Sequence, residues 1–152
     1  MISQEKIEEL KRTGNWMVRF SNDGVGHNGF KWNPVGEWTE APDWTTDAVC
    51  SGGLFGQSLG GWGYCKKGNR FEFCEIDGEK VVVESEKTKV RRAKILCVDQ
   101  EAFALLAEFD FGGSLYLQDY NHPLPQSLVN VGGSLDLQGY NHPLPVGLIK
   151  TS

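Results

Sequence analysis

Phe111 to Asn130 reads FGGSLYLQDYNHPLPQSLVN and Val131 to Lys150 reads VGGSLDLQGYNHPLPVGLIK, two consecutive 20-residue units identical at 13 positions. A period of this length marks stacked supersecondary units, each too small to bury its apolar side alone. In Leu115-Tyr116-Leu117-Gln118 the leucines alternate with polar or amphipathic residues. This predicts a short strand with Leu115 and Leu117 turned inward and Tyr116 and Gln118 outward. The second unit repeats the pattern with Leu135 and Leu137 inward and Asp136 and Gln138 outward. Gly112-Gly113 and Gly132-Gly133 supply the bend into each strand, and each Pro-Leu-Pro block excludes a helix from the return segment. Leu124, Leu128, Leu144 and Leu148 point back into the stack from there.

Two units fall short of the roughly three that a free-standing stack needs, so the preceding chain must supply a cap. Asp99 is the predicted N-cap of a helix over Gln100 to Glu108, with Phe103, Leu106 and Ala107 on one face. Upstream, Ser3 and Gly14 delimit a helix over Ser3 to Thr13. Strands are expected at Trp16 to Phe20, Phe30 to Trp32, Arg70 to Ile76, Lys80 to Glu84 and Val90 to Val98, with a hairpin turn at Asp77-Gly78. Cys50 to Gly68 reads as an irregular glycine-rich loop pinned by aromatics. The predicted fold class is therefore α+β: a small, mostly antiparallel sheet domain with one or two helices, capped by a two-rung leucine-rich-type β-solenoid. Residues 1–98 form the α+β domain with its Trp/Gly-rich loop, 99–110 the capping helix and 111–152 the repeats, all as one cooperative unit.

Composition fits one globular domain: 152 residues, 39% hydrophobic and 23% charged. No apolar run reaches the roughly 20 residues of a membrane span, and Met1 to Thr13 has no apolar signal-peptide core. The expectation is a cytoplasmic protein with no membrane partner. The net charge is −5, and Ile95 to Ile149 holds six acidic residues and no Lys or Arg. Nine of the 15 basic residues lie between Lys66 and Lys94, but among six acidic ones, which argues against direct nucleic-acid binding. Cys50, Cys65, Cys74 and Cys97 form no Cys-x-x-Cys pair, and His27, His122 and His142 add no ligand spacing. Reduced thiols and no metal or cofactor are expected.

Val-Gly-Gly-Ser-Leu-Asp-Leu followed by Leu-Pro-x-x-Leu resembles the short leucine-rich repeats of bacterial and bacteriophage proteins. Tyr120 and Tyr140 stand near the position where that family usually has asparagine. A second resemblance runs through Gly29-Phe30-Lys31-Trp32, Val35-Gly36-Glu37-Trp38, Glu40-Ala41-Pro42-Asp43-Trp44, Cys50-Ser51-Gly52-Gly53-Leu54 and Lys89-Val90-Arg91-Arg92-Ala93. In that order these segments are similar to an uncharacterised domain of phage and bacterial proteins, in which Cys-Gly-Gly-Leu tends to continue into a histidine; Phe55 stands there in this chain. Together the resemblances imply an accessory protein, for example an inhibitor of a host defence complex.

Chemistry-bearing patterns are sparse. Gly24-Val25-Gly26-His27-Asn28-Gly29 spells a dinucleotide-binding turn, but Pro34 and Gly36 forbid the helix such a turn must open, so a glycine-rich hairpin is expected. Cys50, Asp43 and His27 are the candidate catalytic groups of an alternative enzyme reading, a small transferase or hydrolase acting on a nucleotide-like ligand in the Trp-rich loop. His122 and His142, one repeat apart, are read as solvent-facing side chains. Tyr116, Gln118, Asp136 and Gln138, with Tyr120 and Tyr140 at the strand ends, form an acidic, Tyr-bearing face of the kind solenoids use to bind macromolecules. Trp38 and Trp44 extend the candidate partner-binding set. The functional expectation is a non-enzymatic module that binds a protein partner. The open rung at Leu135 to Leu148 offers a strand edge through which a homodimer could form.

Overall fold

The computed structural model describes residues 2–26, 29–49, 52–56, 68–83, 87–109, 115–117, 120–125, 130–131, 135–136, 140–143 and 149–150. Helix α1 spans Gln4–Thr13. The Ser3 side chain accepts the Lys6 amide at its start, and Gly14, at φ 71°, closes its end with an N–H bond to Leu10. Ile7 and Leu10 are the buried pair of this helix.

Five strands make one antiparallel sheet: β1 (Trp16–Ser21), β2 (Trp38–Glu40), β3 (Leu54–Gly56), β4 (Arg70–Val83) and β5 (Lys87–Val98). The order is β1-β4-β5-β2, and β3 also pairs with β5. β2 and β3 lie end to end along β5, opposite Arg92 to Lys94 and Thr88 to Val90 respectively. The sheet curls so far that β3 reaches β1. A Cβ on Gly56 would lie 2.6 Å from Met17 Sδ and 3.0 Å from the Val18 carbonyl, an approach that only glycine permits.

Three local expectations are corrected. Asp77-Gly78 is not a hairpin turn; β4 runs through it, and the register jumps from Asp77 opposite Arg92 to Lys80 opposite Val90. Gly78 takes φ 92°, the geometry a glycine bulge shares with a tight turn, and Ile76, Val81 and Val83 continue the strand on either side. Phe30 to Trp32 is not a strand; Lys31 makes an isolated bridge to Val25, closing the Gly24–Gly29 segment into a hairpin loop. Asp99 does not cap the second helix, α2 (Asp99–Leu106). It sits at φ 54°, and its carboxylate accepts the Phe71 amide at 3.2 Å instead.

The two faces of the sheet carry two cores. α1 and α2 cover Trp16, Val18, Phe20, Phe71 and Phe73, with Phe103 of α2 stacked on Phe71 at 3.9 Å between ring centroids. The other face buries Met17, Trp32, Leu54, Cys74, Ile76, Val90, Ala93 and Ile95. Leu117, Tyr120 and Leu124 of the first repeat belong to the helix-covered core, so the repeats continue it. Within the repeats, β6 (Leu115–Tyr116) pairs in parallel with β8 (Leu135–Asp136), Leu115 opposite Leu135 and Tyr116 opposite Asp136. β7 (Asn130–Val131) pairs in parallel with β9 (Ile149–Lys150).

Candidate interaction surface

The repeat pair is joined to the domain, and its units to each other, through one recurring tyrosine. Tyr120 follows the first rung strand and is only 1% exposed, its ring edge-on to Phe103 at 5.4 Å and to Phe20 at 5.8 Å. This corrects its place on the exposed face: the position next to the strand end is where the repeat meets the capping helix, and an aromatic ring there buries. Its hydroxyl has no hydrogen-bond partner among the described residues. Burial, and then the negative charge of Asp99, push its ionisation above the ordinary tyrosine range.

Tyr140, 20 residues on, is half-buried and donates its hydroxyl to the His122 carbonyl at 3.0 Å. Burial raises its pKa, while a backbone hydrogen bond from Leu124 opposes the rise. His142 Nε2 lies 3.0 Å from Asn121 Oδ1, so Tyr140 and His142 of the second unit hold His122 and Asn121 of the first. His122 and His142 thus make contacts within the stack, the former also edge-on to Tyr120 at 5.2 Å. Among the described residues no group of three or more His, Cys, Asp or Glu is placed to hold a metal ion.

A second feature lies across β2, β5 and β4. Trp38 pairs with Lys94, and the cations of Arg92 and Lys94 stand 4.3 and 4.8 Å from its ring centroid. Arg92 also bonds Asp77 at 2.8 Å, and Glu75 bridges Lys94 at 3.6 Å and Lys6 at 2.9 Å. The result is a half-exposed indole held rigid by cations, the residue chemistry enriched at binding hot spots.

The loop between β2 and β3 is fastened from beneath. Lys89 is fully buried, and its ammonium donates to Thr45 Oγ1 at 3.1 Å and to the Asp47 carbonyl. The Trp44 ring lies 5.6 Å from that nitrogen. Gly53 is pressed on the lysine stem, where a Cβ would approach within 2.5 Å. Asp43 is exposed at the start of this loop. Cys50 and His27, the other two groups of the enzyme reading, lie outside the described residues, as do Gln118 and Gln138 of the rung face.

A third cluster supports the Gly24–Gly29 hairpin. Glu72, fully buried, accepts from Arg19, from Arg70 at 2.7 Å and from Ser21 at 2.8 Å. Arg19 continues to the Gly24 carbonyl, with its guanidinium 3.7 Å from the Trp32 ring centroid. Gly24, at the head of the glycine motif, is thus held by an ion network. Lys89, Arg92, Lys94, Arg19 and Glu72 were not among the expected site residues. Arg92 and Lys94 lie two apart opposite the ends of the three-residue strand β2, a same-face spacing visible in sequence once both segments are read as strands. The Thr45 and Asp47 partners of Lys89 and the Arg19 and Ser21 partners of Glu72 lie more than 40 residues away along the chain, with no local signal.

No helix among the described residues is long and apolar enough to cross a membrane. No protein-family model matches the sequence, and searches of curated proteins and of solved structures return no match either.

Proposed function

We propose that this chain is a non-enzymatic protein-interaction module of bacterial or phage origin. It acts as an accessory protein that occupies a partner's surface, with a host defence complex as the class of target. The supporting observation is the parallel pairing of β6 with β8, which sets Tyr116 beside Asp136 on adjacent rungs of one ladder. By the alternation of the sequence, Gln118 and Gln138 follow Tyr116 and Asp136 at the same-face spacing of a strand, and the reading takes these four residues as the binding face. The stretch from Ile95 to Ile149 contains six acidic residues and no basic one, so the complementary partner surface is basic. Trp38 and Trp44, anchored by cations on the sheet domain, form a second contact region. The module works in the cytoplasm.

The test is affinity capture from bacterial lysate with native protein and with a variant carrying Tyr116→Ala, Gln118→Ala, Asp136→Ala and Gln138→Ala. The reading predicts a protein retained by the native chain and lost by the variant, while circular dichroism shows the variant still folded. Equal retention by both proteins would remove the rung face from the interaction, and retention by neither would contradict the reading for that lysate.

A further inference from the structure

The Arg92 and Lys94 cations that lie over the Trp38 ring also reach carboxylates of β4, Asp77 at 2.8 Å and Glu75 at 3.6 Å. β4 flanks β5 on the side away from β2, so the indole leans out of β2 across β5 and rests on two paired cations. Groups of both signs surround this aromatic plate. The Glu40 and Asp77 side chains are 66% and 59% exposed and accept hydrogen bonds, whereas those of Arg92 and Lys94, 33% and 25% exposed, donate them. Their mutual bonding is incomplete. Glu40 lies 3.8 Å from Arg92, and Lys94 lies 3.6 Å from Glu75, both beyond hydrogen-bond length. Glu75 is nine-tenths buried, and its Oε1, which faces Lys94, has no hydrogen-bond partner among the described residues.

We propose that Trp38 is the stacking platform of a site for a neutral sugar, the pyranose ring of an oligosaccharide. Charge decides among the groups that could cover such a plate. A phosphate or carboxylate would gain the two cations but meet Glu40 and Asp77, the more exposed pair. A basic side chain would gain those carboxylates but approach a ring that two cations already hold. An apolar side chain would cover the indole and leave the polar rim without partners. A pyranose avoids all three conflicts. Its C–H face packs on the indole, and its hydroxyls, each both donor and acceptor, bond Arg92 and Lys94 as readily as Glu40 and Asp77. The assignment goes beyond the protein-interaction reading, whose supporting observation is the β6–β8 ladder.

The whole protein, isotope-labelled for nuclear magnetic resonance, is titrated with maltohexaose, cellohexaose and N-acetylchitohexaose while its indole N–H signals are followed. The signal missing from Trp38→Tyr identifies Trp38. At least one of the three sugars should move that signal saturably. Calorimetry with the same sugar should then show binding kept by Trp38→Tyr, lost in Trp38→Ala and weakened at least threefold by Glu40→Gln with Asp77→Asn. The unchanged amide spectrum of each variant shows that it is folded. Adenosine monophosphate and N-acetylargininamide, which carry the phosphate and the basic group, should leave the Trp38 signal in place. Stacking asks only for an apolar ring face, which all three sugars present, so a Trp38 signal unmoved by any of them overturns the proposal. An equal response to either charged probe, or sugar binding that survives Trp38→Ala, overturns it as well. Lysate capture dependent on the rung face would survive each of these results, which separates failure of this inference from failure of the interaction reading.

Discussion

Tyr120 and Tyr140 occupy the same place in their units and meet different surroundings, which separates the ring's contribution from the hydroxyl's. Tyr120 contributes its ring to the core and leaves its hydroxyl without a hydrogen-bond partner among the described residues. Tyr120→Ala should cost about 3–5 kcal/mol in urea unfolding, the range for large aromatic truncations, whereas Tyr120→Phe should change stability by less than about 1 kcal/mol. A Phe variant as damaging as the Ala variant would show the hydroxyl to be bonded after all. Cys97 offers a pH test. Burial, reinforced by the charge of Glu101, pushes its thiol from the ordinary 9.0 up to about 12. The folded state therefore keeps a proton that the unfolded chain releases, so this stabilisation is complete below about pH 9 and is lost as pH rises toward 12. Tyr120 acts in the same direction. Denaturant unfolding between pH 8 and 11 should show stability falling with pH, less steeply in Cys97→Ala; an unchanged slope would place the thiol in a more polar setting.

At the scale of elements, the Arg19–Glu72–Arg70 network ties the end of β1 to β4 and to the glycine hairpin. Glu72→Ala leaves Arg19 buried without its carboxylate and should cost about 3–5 kcal/mol, while replacing both by apolar residues, Arg19→Met with Glu72→Leu, should recover much of that loss. Equilibrium denaturation of the three proteins decides it: a double variant as weak as the single one would mean that the ion pair itself is required. These elements were legible to different degrees. α1 was fully readable, because Ser3 and Gly14 act through local hydrogen bonds. The edges of the long hairpin were not, because Gly78 suits a turn or a bulge equally, and only the pairing of Val81 and Val83 with β5 selects the bulge. Asp99 was misread as a cap because its competing partner, the Phe71 amide, is distant in sequence. The same reason hid Lys89, whose loop partners Thr45 and Asp47 become neighbours only when β3 folds onto β5.

Across the whole molecule, an antiparallel sheet with helices on one face supplies the core that two short repeats could not build for themselves. Leu117, Tyr120 and Leu124 extend that core into the repeats, and β6 and β8 follow in parallel register. The repeat itself was visible as a period, and the partner-facing role proposed for it rests on the ladder that this register creates. The central claim is that the rung face binds a protein partner. Its most direct measurement is isothermal titration of the purified captured partner into native protein, the four-alanine rung variant and a Trp38→Ala, Trp44→Ala variant. The account predicts at least a tenfold loss of affinity for the rung variant, a smaller loss for the tryptophan variant and a weakening of native binding as salt rises. Native-like affinity in the rung variant would contradict it.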